Sequence, residues 1–323
     1  MTNAKLRIGV TGAGYFGRFH AQKIAAGARS VLSGIHDAAP ERATALAAEM
    51  GCQALGWQEL LDASDAVVVA SPAATHHYAA AAALLAGLHV LVEKPLAATL
   101  AEADALIALA AGGGRVLQVG HLLRYSPERA AIIARMPHPA LIECTRIAPY
   151  KPRGTDVSVV LDLMVHDIDM VLSLVDAPLA GVEASGAIVA GPHLDLAHAR
   201  LRFANGAVAV LVASRVAPHT ERRMLLSGRE GLLTLDFAMR GLRHMRPPPL
   251  GILPDLSDDA AEHATWPLAD LIAAEHAAFA AAILDAAPVL VDGQAGRRAL
   301  AAALMVEAAA AASLEQARAG DLL

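Results

Sequence analysis

The 323-residue sequence has few cysteines, few aromatic residues and no long uninterrupted apolar run. Its two cysteines, Cys52 and Cys144, form neither a disulfide framework nor a metal-binding motif. A strongly apolar run of about 18 residues would indicate a transmembrane helix. The longest candidate, 299–314, is mostly alanine and contains Glu307. The N-terminus also lacks the pattern of a signal peptide, so we expect a cytoplasmic protein without a membrane span.

A strong excess of one charge is also absent. The chain has 26 Lys and Arg against 32 Asp and Glu, which gives a formal net charge of −6. This balance gives no global attraction to nucleic acid, and no nucleic-acid partner is predicted. Mean hydropathy is +0.44, largely because of alanine, which favours helices. The length suggests two domains.

Strands and helices alternate over the first third of the sequence. The predicted strands are 6–10, 30–36, 66–70, 89–92 and 116–119. The segments between them have the character of helices, and Pro40 is typical of a first helical turn. The strand 66–70 (AVVVA) is apolar throughout, as expected of a strand buried on both faces. This alternation predicts an N-terminal α/β domain with a doubly wound parallel sheet, covered by helices on both faces.

The remaining sequence has a different pattern. It contains a helix after Pro127, a strand at 141–146, a helix at 159–175, strands at 182–189, 198–203, 207–214, 222–227 and 232–236, a loop at 245–254 and two alanine-rich helices. Asn205 and Gly206 are predicted to form a tight hairpin, because both residue types tolerate positive φ. We therefore expect a C-terminal α+β domain with a mostly antiparallel sheet, and domain boundaries of 1–121 and 122–323.

A glycine-rich loop follows the first predicted strand and opens the first predicted helix. Its sequence GAGYFG matches GxGxxG, in which glycines let the backbone approach a pyrophosphate at a helix N-terminus. Asp37 ends the second strand, where a carboxylate binds the adenosine ribose of NAD and repels the 2′-phosphate of NADP. An ordinary glycine turn is the alternative. The context predicts NAD as cofactor, with contacts from Gly12, Gly14, Tyr15, Phe16, Gly17 and Asp37.

A charged tripeptide, Glu93-Lys94-Pro95, follows the strand HVLV at its carboxyl end. Ligands bind at that end of the strands in open α/β sheets. The alternative is a solvated Glu–Lys pair beside a turn proline, since charged residues at strand ends are common. Position alone does not decide between the two interpretations.

Taken together, these motifs resemble the glucose–fructose oxidoreductase/inositol dehydrogenase/MocA superfamily. GAGYFG, the strand ending at Asp37, SPAATHH (71–77), VEKP (92–95), QVGHLLRYSP (118–127) and the helix with Asp162 and His166 occur in that family's order. The resemblance implies an N-terminal Rossmann domain, a C-terminal domain with a large, mostly antiparallel sheet, and NAD(P)-dependent oxidation or reduction of a sugar or cyclitol carbon.

The resemblance also implies roles for individual residues. Lys94 is expected near the nicotinamide and the reacting hydroxyl, and Glu93 near the nicotinamide ribose. The further cofactor contacts expected on this basis are Ser71, Pro72, His76, Glu93, Lys94 and Gln118.

The predicted helix 159–175 carries ionisable residues among apolar ones. Asp162 and His166 are four residues apart and share one face, Asp169 falls near that face, and Asp167 points elsewhere. Burying such groups unpaired is unfavourable, so we expect the shared face to line a cleft. A lone histidine on an apolar helix is more often a core residue than a catalyst. The other motifs in this sequence favour catalysis.

Oxidation of a secondary alcohol needs a proton acceptor, and histidine titrates near neutral pH. We expect His166 to be the base, Lys94 to polarise the substrate oxygen or relay its proton, and Asp162 to orient the base. The resemblance places these three together at the substrate. Exchanged roles for Lys94 and His166 are an open alternative. Asp-x3-His can also bind zinc, but no further ligand set is evident and no metal is predicted.

Within the superfamily, the segments 117–128, 147–175 and 204–216 resemble bacterial UDP-N-acetylglucosamine 3-dehydrogenases, which oxidise a sugar hydroxyl ahead of a transamination. Tyr125 and Ser126 stand where Phe and Asn are expected, and Ser158 where an acidic or other polar residue is expected. These departures leave the exact substrate open.

A nucleotide sugar carries a diphosphate, which arginine binds through two parallel hydrogen bonds. The predicted substrate contacts are Arg124, Tyr125, Lys151 and Arg153, with Arg146 as a further candidate. Tyr125 would contact the sugar or the nicotinamide. The alternative for the cations is ordinary solvation, which is usual for isolated Lys and Arg residues on loops.

Two other functions remain open. A dehydrogenase of a free sugar or cyclitol would need no diphosphate contacts. A non-catalytic, NAD-sensing regulator would not need the Lys94, Asp162 and His166 set. The predicted strands 182–189 and 207–212 have apolar residues on both faces, and in the family this sheet commonly forms a dimer or tetramer. We therefore expect a small-molecule substrate and a homodimer or homotetramer.

Overall fold

The computed structural model describes residues 5–151, 155, 157–249, 252, 255 and 257–320. Its strands are β1 (Leu6–Thr11), β2 (Ser30–His36), β3 (Ala66–Val69), β4 (His89–Glu93), β5 (Leu117–Gly120), β6 (Pro139–Ile147), β7 (Leu179–Ala187), β8 (Leu196–Phe203), β9 (Val208–Ser214), β10 (Glu221–Gly228), β11 (Gly231–Asp236), β12 (Gly241–Met245) and β13 (Glu262–Thr265). Its helices are α1 (Tyr15–Ala26), α2 (Pro40–Met50), α3 (Trp57–Asp62), α4 (His76–Leu85), α5 (Leu100–Gly113), α6 (Pro127–Arg135), α7 (Val165–Leu174), α8 (Leu271–Leu284) and α9 (Gly293–Ala319).

The chain forms two compact units. The first comprises the described residues of Met1–Tyr125 and Asp270–Leu300, and the second those of Ser126–Ala269 and Ala301–Leu323. This division differs from the predicted segments 1–121 and 122–323, because α8 and the start of α9 pack with the N-terminal sheet. Phe279 of α8 is fully buried in one core with Ile8 and Ile24. The composition of an alanine-rich helix does not indicate the sheet against which it packs.

The first unit is built on a five-stranded sheet with the order β2-β1-β3-β4-β5. Each neighbouring pair is parallel. Every residue of β3 is buried, as the apolar run AVVVA predicts. The parallel Rossmann-type sheet is therefore confirmed. Its strand order reverses between β1 and β3, the position at which ligands bind in sheets of this kind.

The second unit is built on an eight-stranded sheet with the order β13-β12-β11-β10-β6-β9-β8-β7. Its neighbouring strands are antiparallel except β6 and β9, which are parallel. The predicted mostly antiparallel sheet is confirmed. The short strands β12 (GLRHM) and β13 (EHAT) were not predicted, because neither sequence has an apolar alternation.

The hairpin predicted at Asn205 and Gly206 joins β8 to β9. Gly206 has φ +88° and donates its N–H to the Phe203 carbonyl at 3.0 Å. Asn205 is not among the residues with positive φ, and its Oδ1 accepts the N–H of Ala207 at 3.1 Å. Glycine alone therefore supplies the left-handed conformation, while asparagine supplies a side-chain acceptor.

Among the described residues, α9 is the one helix whose length and composition would allow it to cross a membrane. Its hydropathy has another explanation. Ala299, Leu300, Ala303, Val306 and Ala310 are all at most 2% exposed and form a stripe packed inside the protein. A buried, alanine-rich core helix has this composition.

Candidate active site

The loop between β1 and α1 lies at the carboxyl end of a central strand. Gly12 has φ +99°, and a Cβ there would lie 2.5 Å from the carbonyl carbon of Ala70. A Cβ on Gly17 would lie 1.7 Å from the carbonyl oxygen of Gly12. Both positions require glycine for the loop to close against the end of β3. In contrast, no atom lies within 4 Å of a Cβ built on Gly14, so the backbone there is open to a ligand.

The carboxylate of Asp37 is held at the end of β2 by two backbone groups. Oδ2 accepts the N–H of Ala13 at 2.7 Å, and Oδ1 accepts the N–H of Ala39 at 2.8 Å. An open glycine backbone at a helix N-terminus, next to a fixed carboxylate, is the donor and acceptor set that the ADP half of NAD needs. These residues fit NAD: Gly14 and the start of α1 would hold the pyrophosphate, and Asp37 the adenosine ribose.

Tyr15 borders a cavity of about 380 Å³ beside this loop, which Ala13, Arg18, Arg42 and Glu49 also line. Tyr15 is 58% exposed, and its ring lies edge-on to two neighbouring phenylalanines, at centroid distances of 5.5 and 4.9 Å. Arg18 and Glu49 form an ion pair across α1 and α2. The first of the two phenylalanines is Phe16, which is half-buried. The predicted contacts of Tyr15 and Phe16 with NAD stay predictions.

The segment after β3 is tied to the segment after β4. His76 is buried, with Nδ1 2.7 Å from the carbonyl oxygen of Pro95 and Nε2 2.9 Å from that of Ser71. Burial lowers the pKa of His76. The hydroxyl of Thr75 donates to Ser71 Oγ at 2.8 Å, and Pro72 is exposed. His76 thus joins two loops through its ring, and its predicted contact with the cofactor stays a prediction.

Lys94 follows Glu93, the last residue of β4. Glu93 is buried, with Oε1 2.8 Å from His20 Nε2, and Oε2 accepts the Lys94 N–H at 3.2 Å. Burial disfavours the charged form of Glu93, but the hydrogen bond from His20 and the charges of His20 and Lys94 outweigh it and lower its pKa. Glu93 is therefore a buried anion beside Lys94, which rules out the solvated Glu–Lys surface pair.

Further buried polar side chains lie in the first unit near Glu93. His20 Nδ1 lies 2.9 Å from His276 Nε2, and the fully buried Gln118 donates from Nε2 to the carbonyl oxygen of Glu275 at 3.2 Å. The carboxyl oxygens of Glu275 have no hydrogen-bond partner among the described residues, and burial followed by the charge of Glu93 raises its pKa well above the usual range. The sequence analysis did not identify His20, Glu275 or His276. The predicted cofactor contact of Gln118 stays a prediction.

Asp162 lies in a π-helical segment, Val160–Met164, that precedes α7, and His166 lies in the first turn of α7. Both side chains are half-buried. A π segment has more residues per turn than an α-helix, and residues four apart still lie near one face in it, so the shared face of Asp162 and His166 stays a prediction. Such segments occur frequently at functional sites, and periodicity alone did not reveal this one.

Asp167 has a structural explanation. It forms a buried, bidentate ion pair with Arg146, with N–O distances of 2.7 and 2.8 Å. This pair fastens α7 to β6. Because the guanidinium of Arg146 is committed to Asp167, the expectation that Arg146 binds a diphosphate is not supported. Asp169, which was expected near the catalytic face, is only 1% exposed.

The other predicted site residues fall in different parts of the chain. Arg124 and Tyr125 lie in a 3₁₀ turn of the first unit, where Arg124 is buried. Lys151 belongs to the second unit and is exposed, and Arg153 lies outside the described residues. Lys94 belongs to the first unit, whereas Asp162 and His166 belong to the second. The grouping of these residues at one substrate therefore stays a prediction.

Within the described ranges, no three His, Cys, Asp or Glu side chains are grouped so that they can hold a metal ion. Burial raises the pKa of the Cys52 thiol, and raises that of the Cys144 thiol well above its usual value. Both thiols are therefore protonated at neutral pH and are poor nucleophiles or metal ligands.

Comparison with known families identifies both halves of the chain. Residues 6–121 match the oxidoreductase family with an NAD-binding Rossmann fold, and residues 132–234 match the GFO/IDH/MocA C-terminal domain. The chain belongs to the GFO/IDH/MocA family. It is an oxidoreductase, and its cofactor is NAD.

Three relatives show how far the similarity extends. UDP-N-acetylglucosamine 3-dehydrogenase from Acidithiobacillus ferrooxidans is 40% identical over 315 residues, which are 96% of this chain and 99% of that one, and its solved structure superimposes with a TM-score of 0.89. Inositol 2-dehydrogenase 4 from Saccharopolyspora erythraea is 35% identical over 52% of this chain and 54% of that one. Scyllo-inositol dehydrogenase from Lactobacillus casei, solved with NAD(H) and scyllo-inositol, has a TM-score of 0.77 at 22% identity, covering 94% of this chain and 96% of that one, and shares the fold.

Proposed function

We propose that this protein is an NAD-dependent dehydrogenase that oxidises the 3-hydroxyl of UDP-N-acetylglucosamine. The proposal rests on its similarity to the Acidithiobacillus ferrooxidans enzyme, which is 40% identical and covers 96% of this chain and 99% of that one. The inositol dehydrogenase from Saccharopolyspora erythraea covers only about half of either chain. Similarity that includes the second unit is the stronger guide to substrate, since the proposed base lies there.

NAD is proposed as the cofactor in preference to NADP. The carboxylate of Asp37 is fixed by the N–H groups of Ala13 and Ala39, so it is oriented before any ligand binds. A carboxylate at this position accepts hydrogen bonds from ribose hydroxyls and repels a 2′-phosphate. When bound, NAD supplies the hydride acceptor.

His166 is proposed as the proton acceptor, with Asp162 orienting it and Lys94 stabilising negative charge on the substrate oxygen. An imidazole suits this role because it exchanges protons near neutral pH. Lys94 follows the buried anion Glu93, and its charge contributes to lowering the pKa of Glu93. The exchanged assignment, with Lys94 as base, remains the alternative.

The proposed substrate contacts are Arg124, Tyr125, Lys151 and Arg153. We further propose that the first unit is the cofactor domain and that the second unit is the substrate domain.

We also propose a cytoplasmic homo-oligomer. The face of the second sheet opposite α7 carries the half-buried residues Val208, Val210 and Val212 next to Leu141, which is 37% exposed. An uncovered apolar strip of this kind favours association. Light scattering tests this, and a monomer at micromolar concentration would contradict it.

The test of the main proposal is NADH formation with NAD and a panel of substrates: UDP-N-acetylglucosamine, UDP-N-acetylgalactosamine, glucose and myo-inositol. A glutamate-dependent aminotransferase should be coupled, because a keto sugar is an unfavourable product at equilibrium. Turnover of UDP-N-acetylglucosamine with little activity on the free polyols supports the proposal. Turnover restricted to myo-inositol or glucose would refute it and support a free-polyol dehydrogenase, which the inositol dehydrogenase relatives suggest.

A further inference from the structure

Two arginines lie side by side on one face of the second sheet. Arg222 of β10 is directly opposite Arg146 of β6 in the antiparallel pairing of these strands. Met224 and Leu226 follow Arg222 at intervals of two residues, and both are fully buried. Side chains two residues apart share a face of the sheet. Arg222 therefore lies on the face that α7 covers, to which Arg146 also belongs.

The two guanidiniums share a single carboxylate. Asp167 is bound by Arg146 through two hydrogen bonds of 2.7 and 2.8 Å. The guanidinium of Arg222 forms no hydrogen bond or ion pair with any residue that the structure describes, and the charges that act on it are those of Arg146 and Asp167. Like charges directly opposite each other on neighbouring strands are destabilising. This face of the sheet therefore carries an excess of positive charge.

The next residue of the same strand has the contrary arrangement. Arg223 faces the other side of the sheet, where its Nη1 lies 3.9 Å from a carboxylate oxygen of Glu221. Asp236 of β11 is directly opposite Arg223 on that side. The cation on the outer face is thus surrounded by acidic residues, and the uncompensated charge of β10 belongs to Arg222 on the inner face.

The guanidinium of Arg222 is partly shielded from water and can still be reached by a ligand. Burial, followed by the charge of Arg146, lowers its pKa against the attraction of Asp167, although an arginine remains protonated at any physiological pH. The residue as a whole is exposed, so a molecule that arrives from solvent can contact it. Electrostatic attraction to an anion is stronger where surrounding water is reduced.

Arg222 also lies in the part of the second unit that contains the proposed base. It is opposite Arg146, Arg146 binds Asp167, and Asp167 directly follows His166 in α7. Strand β6 ends one residue after Arg146, and the chain continues from there to the exposed Lys151, a proposed substrate contact. The uncompensated positive charge is therefore adjacent to elements that carry proposed substrate residues.

We propose that Arg222 binds a phosphate group of the substrate through its guanidinium. The proposal rests on the proposed oxidation of a nucleotide sugar, whose diphosphate supplies the negative charge that this part of the second unit lacks. The planar guanidinium donates two parallel hydrogen bonds that match two phosphate oxygens. Arg222 thereby favours phosphorylated substrates over free sugars and cyclitols, which bring no anion to compensate its charge.

The first test is Arg222→Met, which keeps most of the length of the side chain and removes the guanidinium. We expect KM for UDP-N-acetylglucosamine to rise about tenfold or more, because charge-assisted hydrogen bonds to the phosphate are lost. The kcat and the KM for NAD should change by less than about twofold, since a contact remote from the reacting carbon contributes equally to ground-state and transition-state binding. Steady-state NADH formation measures all three constants.

The matched control is Arg223→Met, one residue along β10 and on the opposite face. It removes the same charge from the chain and should leave kcat and both KM values unchanged. A further variant, Arg222→Lys, keeps the charge without the planar fork and should give an intermediate KM for UDP-N-acetylglucosamine. An unchanged KM in Arg222→Met, or an equal rise in Arg223→Met, would overturn the proposal.

The second test measures binding without turnover. UDP and uridine differ by the diphosphate, and each can be titrated by calorimetry into the protein with NADH present. The wild-type protein should bind UDP more tightly than uridine, and Arg222→Met should reduce this preference about tenfold or more without changing the affinity for uridine. An unchanged preference, or the same loss of affinity for both ligands, would contradict a phosphate contact.

A third readout needs neither substrate nor cofactor. Because Arg222 lies opposite Arg146 without a carboxylate of its own, Arg222→Met should raise the urea midpoint of the second unit. Fluorescence of Trp266 in a variant that lacks Trp57 reports this transition. Arg223→Met should not raise the midpoint, since it removes a favourable interaction with Glu221. A lower midpoint in Arg222→Met would show that the arginine stabilises the fold, and would overturn the inference that its charge awaits a ligand.

This inference and the proposed substrate can fail separately. If the wild-type protein oxidises UDP-N-acetylglucosamine and Arg222→Met has the same KM, only the assignment of Arg222 fails. If the wild-type protein oxidises only free polyols but binds UDP through Arg222, the proposed substrate fails and the phosphate site stands. A wild-type protein that oxidises only free polyols and binds UDP no more tightly than uridine would overturn both.

Discussion

The two units bury their carboxylates in different ways. In the second unit, Asp167 faces Arg146 at 2.7 Å and Asp195 faces Arg215 at 2.7 Å, so both of these buried carboxylates have a guanidinium partner. In the first unit, Glu93 faces His20, and Glu275 has no hydrogen-bond partner among the described residues.

This difference separates a structural use of charge from a chemical one. A guanidinium keeps its proton at any pH that a folded protein meets, so its pair with a carboxylate stays fixed. A histidine or an unpaired carboxyl can change its proton number within a moderate pH range. In the second unit, the buried pair of Asp167 and Arg146 therefore holds α7 against β6. The buried groups of the first unit, of which Glu93 adjoins Lys94, are ones whose proton number can change.

The largest predicted effect comes from breaking an arginine pair. Asp167→Ala leaves the guanidinium of Arg146 buried without its partner, and we expect the second unit to lose about 3–5 kcal/mol of stability. The chain has two tryptophans, Trp57 in the first unit and Trp266 in the second, so fluorescence of a Trp57→Phe background reports unfolding of the second unit. Denaturant titration of that background gives the change in the free energy of unfolding.

The control for this prediction is a pair of the same chemistry at the surface. Arg7 and Asp65 lie 2.6 Å apart, but their side chains are 51% and 39% exposed. Asp65→Ala should cost less than about 1 kcal/mol, because water screens the pair and solvates the remaining arginine. Since this pair lies in the first unit, its unfolding is followed by Trp57 in a Trp266→Phe background. Equal losses of stability in the two variants would show that burial does not increase the contribution of the Asp167 pair to stability.

The next effect separates two neighbours on one helix. His166→Ala should leave the stability of the second unit nearly unchanged, because the side chain is half-buried, but should lower kcat by about 10²-fold or more. Asp167→Ala, one residue away, should act mainly on stability. Steady-state NADH formation and the Trp266 signal distinguish the two outcomes. Full activity of His166→Ala would remove it as the base and favour Lys94.

The fold was predictable where a pattern is local. The strands of the parallel sheet are short segments rich in apolar residues that alternate with helical segments, so all five strands were found in the sequence. Helix α8 was assigned to the C-terminal domain, but it belongs to the first unit, because its choice of sheet depends on Phe279 filling a core formed by distant residues. Strands β12 and β13 are stabilised by pairing with their neighbours and have no apolar alternation of their own.

The candidate site was predictable to the same extent. The glycine loop, Asp37 and Lys94 are marked by residue types at fixed distances along the chain. The contact between His20 and His276 joins residues 256 positions apart, and no local pattern indicates it. Arg146 was a further candidate for binding the diphosphate because the sequence shows a cation but not its partner, and Asp167 was left without a role for the same reason.

A smaller effect is expected when the second unit is exposed to acidic pH. Burial alone would raise the pKa of Asp195, but the backbone N–H of Ala190, the guanidinium of Arg215 and the N–H groups of Val189 and Gly191 lower it to about 2. A carboxylate with a depressed pKa stabilises the fold above its unfolded pKa of about 4, and the gain is lost as pH falls through the folded pKa. The second unit should therefore lose about 2 kcal/mol between pH of about 4 and about 2. Trp266 fluorescence during urea unfolding at each pH measures this, and a flat profile would contradict the assignment.

The smallest effect is a gain in stability, and it tests the unpaired carboxyl of the first unit. Burial and the charge of Glu93 raise the pKa of Glu275, so the folded state keeps a proton that the unfolded state releases above a pH of about 4. Stability from this group is therefore present below the unfolded pKa and is lost as pH rises through the folded pKa. Glu275→Gln removes the titration without changing the shape of the side chain.

We expect Glu275→Gln to stabilise the first unit by about 1 kcal/mol at neutral pH, more at alkaline pH and not at all in mild acid. Urea unfolding followed by Trp57 in a Trp266→Phe background gives the profile, and the exposed Glu41→Gln is the control, with a change below about 0.5 kcal/mol. A loss of stability in Glu275→Gln at every pH would mean that the carboxylate is ionised and bound in the folded protein. The first unit would then hold its buried charges as firmly as the second, and the contrast between the two units would fail.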